Sequence, residues 1–318
     1  MTHVLIVSLR RSAGKLMRML LDGHSQVNAF PFEHWNRASK LTFPERRIAA
    51  FDRLSVEDKL RTAGDRVVEK KLRRLHSPAL AATVIDGWRR DAADAATLPE
   101  LYESLARRYF AALHLDPNRR VVNHCGSACV LTRAQLDAVF GPGVHLLPVR
   151  DPRAVFASME ALRTKAYTIK RLRRQRIAPH VIARHVEKME VVDGASGYLR
   201  EFCEQYRHMV AEYVRNPEVV WVRFEDLVTA PEATLRRVCE RLSLPWEPVL
   251  ARPTEFGQQR GPNSSFERKG DVVHARAADD WVERIDPGAR AFIEQELAGE
   301  MAALGYTRAV VPATAGVP

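Results

Sequence analysis

A chain of 318 residues, 46% hydrophobic and 28% charged, is long enough for one large α/β domain with helical additions, or for two smaller ones. Its 49 Lys and Arg against 39 Asp and Glu leave a net charge of +10, which suits anionic ligands, acidic acceptors, nucleic acid or a membrane surface without choosing among them. Four scattered cysteines exclude a disulfide framework, and no second paired cluster completes a zinc site around Cys125 and Cys129.

The first predicted element is a strand. Val4 to Val7 form a continuous apolar run, the pattern of a strand buried on both faces of a parallel sheet. A small, cationic stretch follows: Arg10, Arg11, Ser12, Ala13, Gly14 and Lys15. Leu16, Met17, Met19, Leu20 and Leu21 then predict an apolar helix. A buried strand, a small-residue turn and a helix N-terminus make an anion site, because the free amides of the first turn and the helix dipole favour negative charge. An ordinary βα turn with solvated arginines would carry the same residues. The pattern G-x-x-x-x-G-K-[ST] of nucleotide triphosphatases is met only at Gly14-Lys15; Leu9 stands at its first glycine and Leu16 at its magnesium-binding hydroxyl. A phosphate ligand that needs no metal therefore fits better than Mg-ATP.

Val27 to Phe32 reads as a second strand leading into Glu33-His34-Trp35, and residues 41–114 as mostly helical. Lys70 and Lys71 fall in that region and read as solvated. Arg119 to His124 predicts a third strand, with Cys125-Gly126-Ser127 as its loop. Thr132 then caps a helix whose apolar face is Leu136, Val139 and Phe140 and which Gly141 ends. Val144 to Val149 is another buried strand, and it runs into Arg150-Asp151-Pro152-Arg153 and, two helical turns on, Ser158. Asp151 suits an N-cap and Pro152 the first helical position. An arginine at the C-terminal end of a strand lies where open α/β sheets bind ligands, so Arg150 and Ser158 can grip one phosphate from two sides. A well-capped helix with a surface arginine is the alternative.

Residues 163–190 are strongly basic, with Tyr167 the lone aromatic, so they read as a solvated face or an acceptor-docking lid rather than a nucleic-acid surface. Tyr198 to Arg215 predicts a helix with Phe202, Tyr206, Met209, Val210 and Tyr213 on one face. Val219 to Val222 is the last sheet strand, and Glu225 and Asp226 cap the turn after it. A polar loop from Pro262 to Gly270 precedes Trp281, Pro287 to Leu304 predicts one amphipathic helix, and the tail after residue 308 reads as disordered.

Arg11-Ser12-Ala13-Gly14-Lys15-Leu16-Met17 followed by Leu20-Leu21-Asp22-Gly23-His24, then Arg150-Asp151-Pro152-Arg153 with Ser158, then Arg223-Phe224-Glu225-Asp226-Leu227, together resemble the sulfotransferases that use 3′-phosphoadenosine 5′-phosphosulfate (PAPS). The resemblance covers residues 3–34, 119–162 and 218–306. It departs from the family's first motif at Ala13, where a glycine is usual, and at Gly14-Lys15, where a hydroxyl pair is usual. It implies an α/β fold with a central parallel sheet and flanking helices, a P-loop-like three-layer α/β/α arrangement. The expected organisation is one domain over residues 1–308 with acceptor-side helical insertions at 41–114 and 163–215, and a flexible tail over 309–318.

The activity implied is transfer of a sulfuryl group to a hydroxyl or amine, with PAPS as donor, the bisphosphate PAP as product and no metal. Arg11 occupies the family's catalytic cation position and Lys15 is a second candidate; the amides from Ser12 through Ala13 and Gly14 to Leu16 would hold the 5′ side. Arg150 and Ser158 would hold the 3′-phosphate, and Arg268, Lys269 and Gly270 would close the nucleotide site. Glu33 is the leading candidate for the base that takes the acceptor's proton, with His124 and His34 as alternatives. A small-molecule, sugar, lipid or peptide acceptor is expected, and no nucleic acid. The apolar run before Arg10 is too short for a signal peptide and no stretch approaches the about 20 apolar residues of a membrane span, so a cytoplasmic protein is the expectation. An ATP-dependent phosphotransferase and a non-catalytic basic protein for anionic polymers are the competing readings.

Overall fold

The computed structural model describes residues 3–33, 44–126, 128–163, 172–173, 177–183, 195–259 and 278–306. Strand β1 (His3–Ser8) is buried along its whole length and has a parallel neighbour on each side, β3 (Arg120–Gly126) and β4 (Gly143–Val149). With β2 (Val27–Glu33) and β5 (Val220–Arg223) it forms a five-stranded parallel sheet in the order β2-β3-β1-β4-β5. A central strand with no solvent-facing side needs apolar residues at every position, and this is why Val4 to Val7 do not alternate with polar ones.

Alternate side chains of β1 enter two cores. Leu5 and Val7 pack with Phe30, Trp88, Leu101, Phe202 and Tyr206 on one face; Val4 and Ile6 pack with Met17, Leu20, Leu235 and Val238 on the other. The first core is closed by α3 (Val56–Ala63), α4 (Asp65–Leu75), α5 (Pro78–Asp91), α6 (Leu98–Ala112) and the helix Ala195–Met209. The second is closed by α1 (Gly14–Leu21) and the helix Pro231–Arg241. The result is the expected α/β/α layering. Because the chain runs from β1 to β2 and β3 on one side of β1 and then crosses to β4 on the other, the loops after β1 and β4 open into the crevice where the strand order reverses.

Three expected boundaries move. Strand β3 continues through Cys125 and Gly126, which pair with Val7 and Ser8 of β1, so these residues are sheet and not loop. The helix Ala195–Met209 continues as a π-helical turn over Val210–Val214, which keeps Tyr206, Met209, Val210 and Tyr213 buried together. The C-terminal helix is two, Pro287–Glu296 and Ala298–Ala303, broken at the buried Leu297. The tail from 307 on lies outside the described residues.

A small hairpin, β6 (Thr254–Glu255) and β7 (Gln258–Gln259), is fastened to α1. Thr254 Oγ1 donates to the Asp22 carbonyl at 2.7 Å, and the Gly257 amide donates to Asp22 Oδ2 at 2.9 Å. Arg18, fully buried, donates from Nη2 to Glu255 Oε1 at 2.9 Å and from Nη1 to the Phe30 carbonyl of β2 at 3.2 Å. Removing one partner of a buried ion pair leaves the other charge desolvated and alone. Glu255→Ala is therefore expected to lower unfolding stability by about 3 kcal/mol, and Glu255→Gln by less, measured by chemical denaturation. Equal stability in Glu255→Ala and wild type would contradict this account of the hairpin.

Candidate active site

The turn from β1 to α1 passes through two non-glycine residues in the left-handed region, Arg11 at φ 70° and Ala13 at φ 67°. Each costs about 1 kcal/mol, which the surrounding packing must offset. The Ser12 amide donates to the Leu9 carbonyl at 3.1 Å and the Met17 amide to the Ala13 carbonyl at 2.9 Å. Helix geometry therefore leaves the amides of Gly14, Lys15 and Leu16 as the donors of the first turn. That turn carries no side-chain cap and no acidic residue, and the buried Ser12 Oγ has no hydrogen-bond partner. The donor set fits an anion and nothing else. Leu16 faces the core, and Lys15 is exposed beside the turn.

Gly14 has a packing reason beyond anion access. A Cβ there would come within 2.3 Å of His124 Nε2 and 2.4 Å of Ser8 Oγ. The helix start is pressed directly onto the ends of β1 and β3, where Ser8 Oγ and His124 Nε2 lie 3.3 Å apart.

From β4 comes the second half of the crevice. Arg150 is buried, with its guanidinium 4.4 Å over the Phe224 ring, and Nη1 donates to the Arg11 carbonyl at 3.4 Å. Burial pulls its pKa down to about 10, opposed by Glu225, so it remains a cation. Helix α8 (Pro152–Arg163) begins at once, with Asp151 Oδ1 accepting from the Arg153 amide at 2.8 Å, as expected of an N-cap. Arg153 also grips the Asp151 carboxylate with Nη2 at 2.7 Å and Glu294 with Nη1 at 2.7 Å. Ser158, fully buried on α8, accepts from Arg11 Nε at 3.0 Å. Arg11, Arg150 and Ser158 are thus joined by direct contacts, although Arg11 and Arg150 are 139 residues apart in the chain.

Glu225 supports this assembly from behind. Its Oε1 accepts from the Asp151 amide at 3.1 Å and its Oε2 from the Tyr306 hydroxyl at 2.7 Å, while burial raises its pKa. The Tyr206 hydroxyl donates to the Arg150 carbonyl at 2.9 Å. Glu225 does not cap its own strand-to-helix turn, whose helix Phe224–Thr229 has no side-chain cap, but holds the Asp151 amide of the turn after β4. Tyr206 and Tyr306 are partners that the motifs do not indicate.

Glu33 ends β2, and its side chain is 40% exposed. The carboxylate lies over Gly126, where a Cβ would sit 2.8 Å from it. His124 Nδ1 is 3.9 Å from Glu33 Oε1. Burial first, then the charges of Arg18, Lys71 and Lys15, push the His124 pKa down to about 3, so its ring is neutral at neutral pH. Lys71, expected to be solvated, instead donates from Nζ to the Glu33 carbonyl and stands 5.3 Å over the Phe32 ring. The signal present in the sequence was its place on the flank of the buried Val68–Leu72 stripe of α4. His34, Ser127, the loop with Arg268, Lys269 and Gly270, and most of the basic stretch 163–190 lie outside the described residues.

Comparison with known proteins shows the family and the fold. The model of the sulfotransferase family matches residues 3–248. Among solved structures the chain is similar to the sulfotransferase domain from the curacin biosynthetic pathway, with 16% identity over 96% of this chain and 98% of that one and a TM-score of 0.54. It is similar also to the sulfotransferase domain from the Synechococcus PCC 7002 olefin synthase, with 17% identity over 97% of this chain and 96% of that one and a TM-score of 0.53. Among curated proteins no match is found.

The neutral, buried His124 sets a pH dependence. Its pKa is about 6.5 in the unfolded chain and about 3 when folded, so below about pH 6.5 the unfolded chain binds the extra proton. Stability is full above that pH and is lost as pH falls toward 3. Denaturation midpoints between about pH 6 and 4 should fall less steeply in His124→Gln than in wild type, by up to about 1.4 kcal/mol per pH unit. Identical slopes would mean that His124 is charged when folded.

Proposed function

The chain belongs to the sulfotransferase family, and we infer that it moves a sulfuryl group from PAPS to a hydroxyl or amine of an acceptor by in-line displacement. The observation that carries this reading is the joining of two phosphate-type motifs in one crevice: Arg11 Nε on Ser158 Oγ, and Arg150 Nη1 on the Arg11 carbonyl. The donor supplies the sulfuryl group and carries two phosphates. The residues present suit both. A helix start with no side-chain cap and an unpartnered buried serine hydroxyl supports the 5′ side, and Arg150 with Ser158 supports the 3′-phosphate.

In this reading Arg11 and Lys15 place positive charge where the departing phosphate gains negative charge, and the amides from Gly14 to Leu16 orient it. The Ser12 amide, expected to share in this, is held by the Leu9 carbonyl. Glu33, partly exposed at the end of β2, takes the acceptor's proton. His124 does not serve as base in this reading, because a ring with a pKa near 3 accepts a proton poorly at neutral pH. Leu16 argues against the Mg-ATP reading, since its side chain is in the core and brings no hydroxyl to the loop. The acceptor belongs to the broad class of sugars, lipids, phenols and peptides. No helix among the described residues is long and apolar enough to cross a membrane, in keeping with a cytoplasmic enzyme.

Calorimetric titration with PAP in EDTA, beside ATP with magnesium, tests the donor class. Tight metal-free binding of PAP is expected, and a preference for Mg-ATP would replace the reading with a phosphotransferase. Arg150→Ala should weaken PAP binding by about tenfold to a hundredfold while leaving adenosine 5′-phosphate binding nearly unchanged. Equal losses for both ligands would remove Arg150 from the 3′-phosphate. Glu33→Gln should keep PAP binding and lose on the order of a hundredfold in turnover.

A further inference from the structure

Strand β2 loses its ladder just before the residue that matters. Val27, Asn28 and Ala29 pair in register with Arg120, Val121 and Val122 of β3, but the next pair is Glu33 with His124. Four residues of β2 are therefore spanned by two of β3, a bulge over Phe30-Pro31-Phe32. Pro31 contributes no N–H, and among the described residues β2 is the edge strand, with no further strand holding it from the other side. The backbone that aims Glu33 must be fixed by something else.

Two cations from outside the sheet do this. Arg18 of α1 donates to the Phe30 carbonyl at the start of the bulge, and Lys71 of α4 donates to the Glu33 carbonyl at its end. Neither contact is casual. Arg18 is fully buried, and Lys71 is half-buried with its ammonium 5.3 Å over the Phe32 ring. Burial lowers the Lys71 pKa, and the nearby Glu33 carboxylate raises it. A lysine ammonium gives up hydration only where a partner replaces it, and here the partners are the Glu33 carbonyl and the Phe32 ring face, with the Glu33 carboxylate adding a longer-range attraction. Gly126 completes the seat by leaving room beneath the Glu33 carboxylate.

We propose that Lys71 is a positioning residue for the chemical step: it replaces the missing strand at the end of β2 and holds Glu33 over Gly126, facing the crevice. The proposal rests on the reading of Glu33 as the base. It assigns to the helices between β2 and β3 a share in catalysis, beyond shaping an acceptor pocket.

The test uses the full chain and PAPS alone, with water as acceptor. A water oxygen forms the new bond to sulfur, the bridging S–O bond breaks, PAP leaves and Glu33 takes the proton. Lys71→Met, Lys71→Arg and Glu33→Gln are compared with wild type for the rate of PAP release and for PAP affinity. Lys71→Met is expected to lower the rate on the order of tenfold with PAP affinity unchanged within twofold, and Lys71→Arg to recover most of the rate. A Lys71→Met rate within twofold of wild type beside an inactive Glu33→Gln overturns the role of Lys71 and leaves Glu33 standing. A wild-type rate in Glu33→Gln overturns the base assignment, and Lys71 falls with it. Parallel loss of rate and PAP affinity in Lys71→Met marks a general structural role and also overturns the proposal. Hydrogen exchange gives a reading independent of turnover. The segment 30–33 should exchange at least several-fold faster in Lys71→Met, with 121–126 unchanged and Lys71→Arg near wild type; unchanged exchange at 30–33 counts against the clamp.

Discussion

A side chain at Gly14 would collide with His124 and Ser8, and much of the molecule's arrangement follows from that single close approach. Only a residue without Cβ lets α1 start directly on the ends of β1 and β3. The chain must then fold back within a few residues of Ser8, and it does so by placing Arg11 and Ala13 in the left-handed region. The same geometry makes the amides of Gly14, Lys15 and Leu16 the donors of the first turn and directs the Arg11 side chain to Ser158. Tight packing at the sheet and open hydrogen-bond capacity at the crevice are two sides of one constraint.

The crevice is built to want an anion. Arg11 and Arg150 lie close enough that Arg11 lowers the Arg150 pKa, so their mutual repulsion is a standing electrostatic cost. Glu225 and Asp151 offset part of it from behind, while the Phe224 ring covers one face of the Arg150 guanidinium. Glu225 is itself held by the Asp151 amide and the Tyr306 hydroxyl, so it is not available to neutralise what enters from the front. In the proposed reading, a ligand with two phosphates would relieve the repulsion that the protein leaves in place. The overall charge of +10 adds long-range attraction to this local arrangement, and would act on any anion, whereas the paired arginines select for shape.

Much of this was legible in the residues. The buried strands announced themselves as uninterrupted apolar runs, and Arg150-Asp151-Pro152 carries the cap and the first helical residue in plain order. Local signals of this kind depend on neighbours in the chain. What could not be read depends on partners far apart. Lys71 and Glu33 are 38 residues apart, and nothing near Lys71 distinguishes it from the solvated Lys70 except one helical step. Tyr306 reaches Glu225 across 81 residues, and the bulge in β2 is a mismatch of two strands that neither strand shows alone. The neutrality of His124 likewise follows first from its burial among residues far apart in the chain and then from the charges of Arg18, Lys71 and Lys15.

The division between the two sides of the crevice also limits what a fold likeness can say. At 16–17% identity the solved sulfotransferase domains share the layers of this chain, and layers do not choose an acceptor. The donor side is built from short loops at the ends of β1 and β4, where rigid strands fix every contact. The base side is built on an edge strand whose ladder has failed, steadied by side chains from α1 and α4. An edge held by side chains tolerates a change in the helices that supply them more easily than a central strand tolerates a change in its neighbours. The helices between β2 and β3 are free to vary in what they present to an acceptor, on the one condition that some cation still reaches the carbonyl of Glu33.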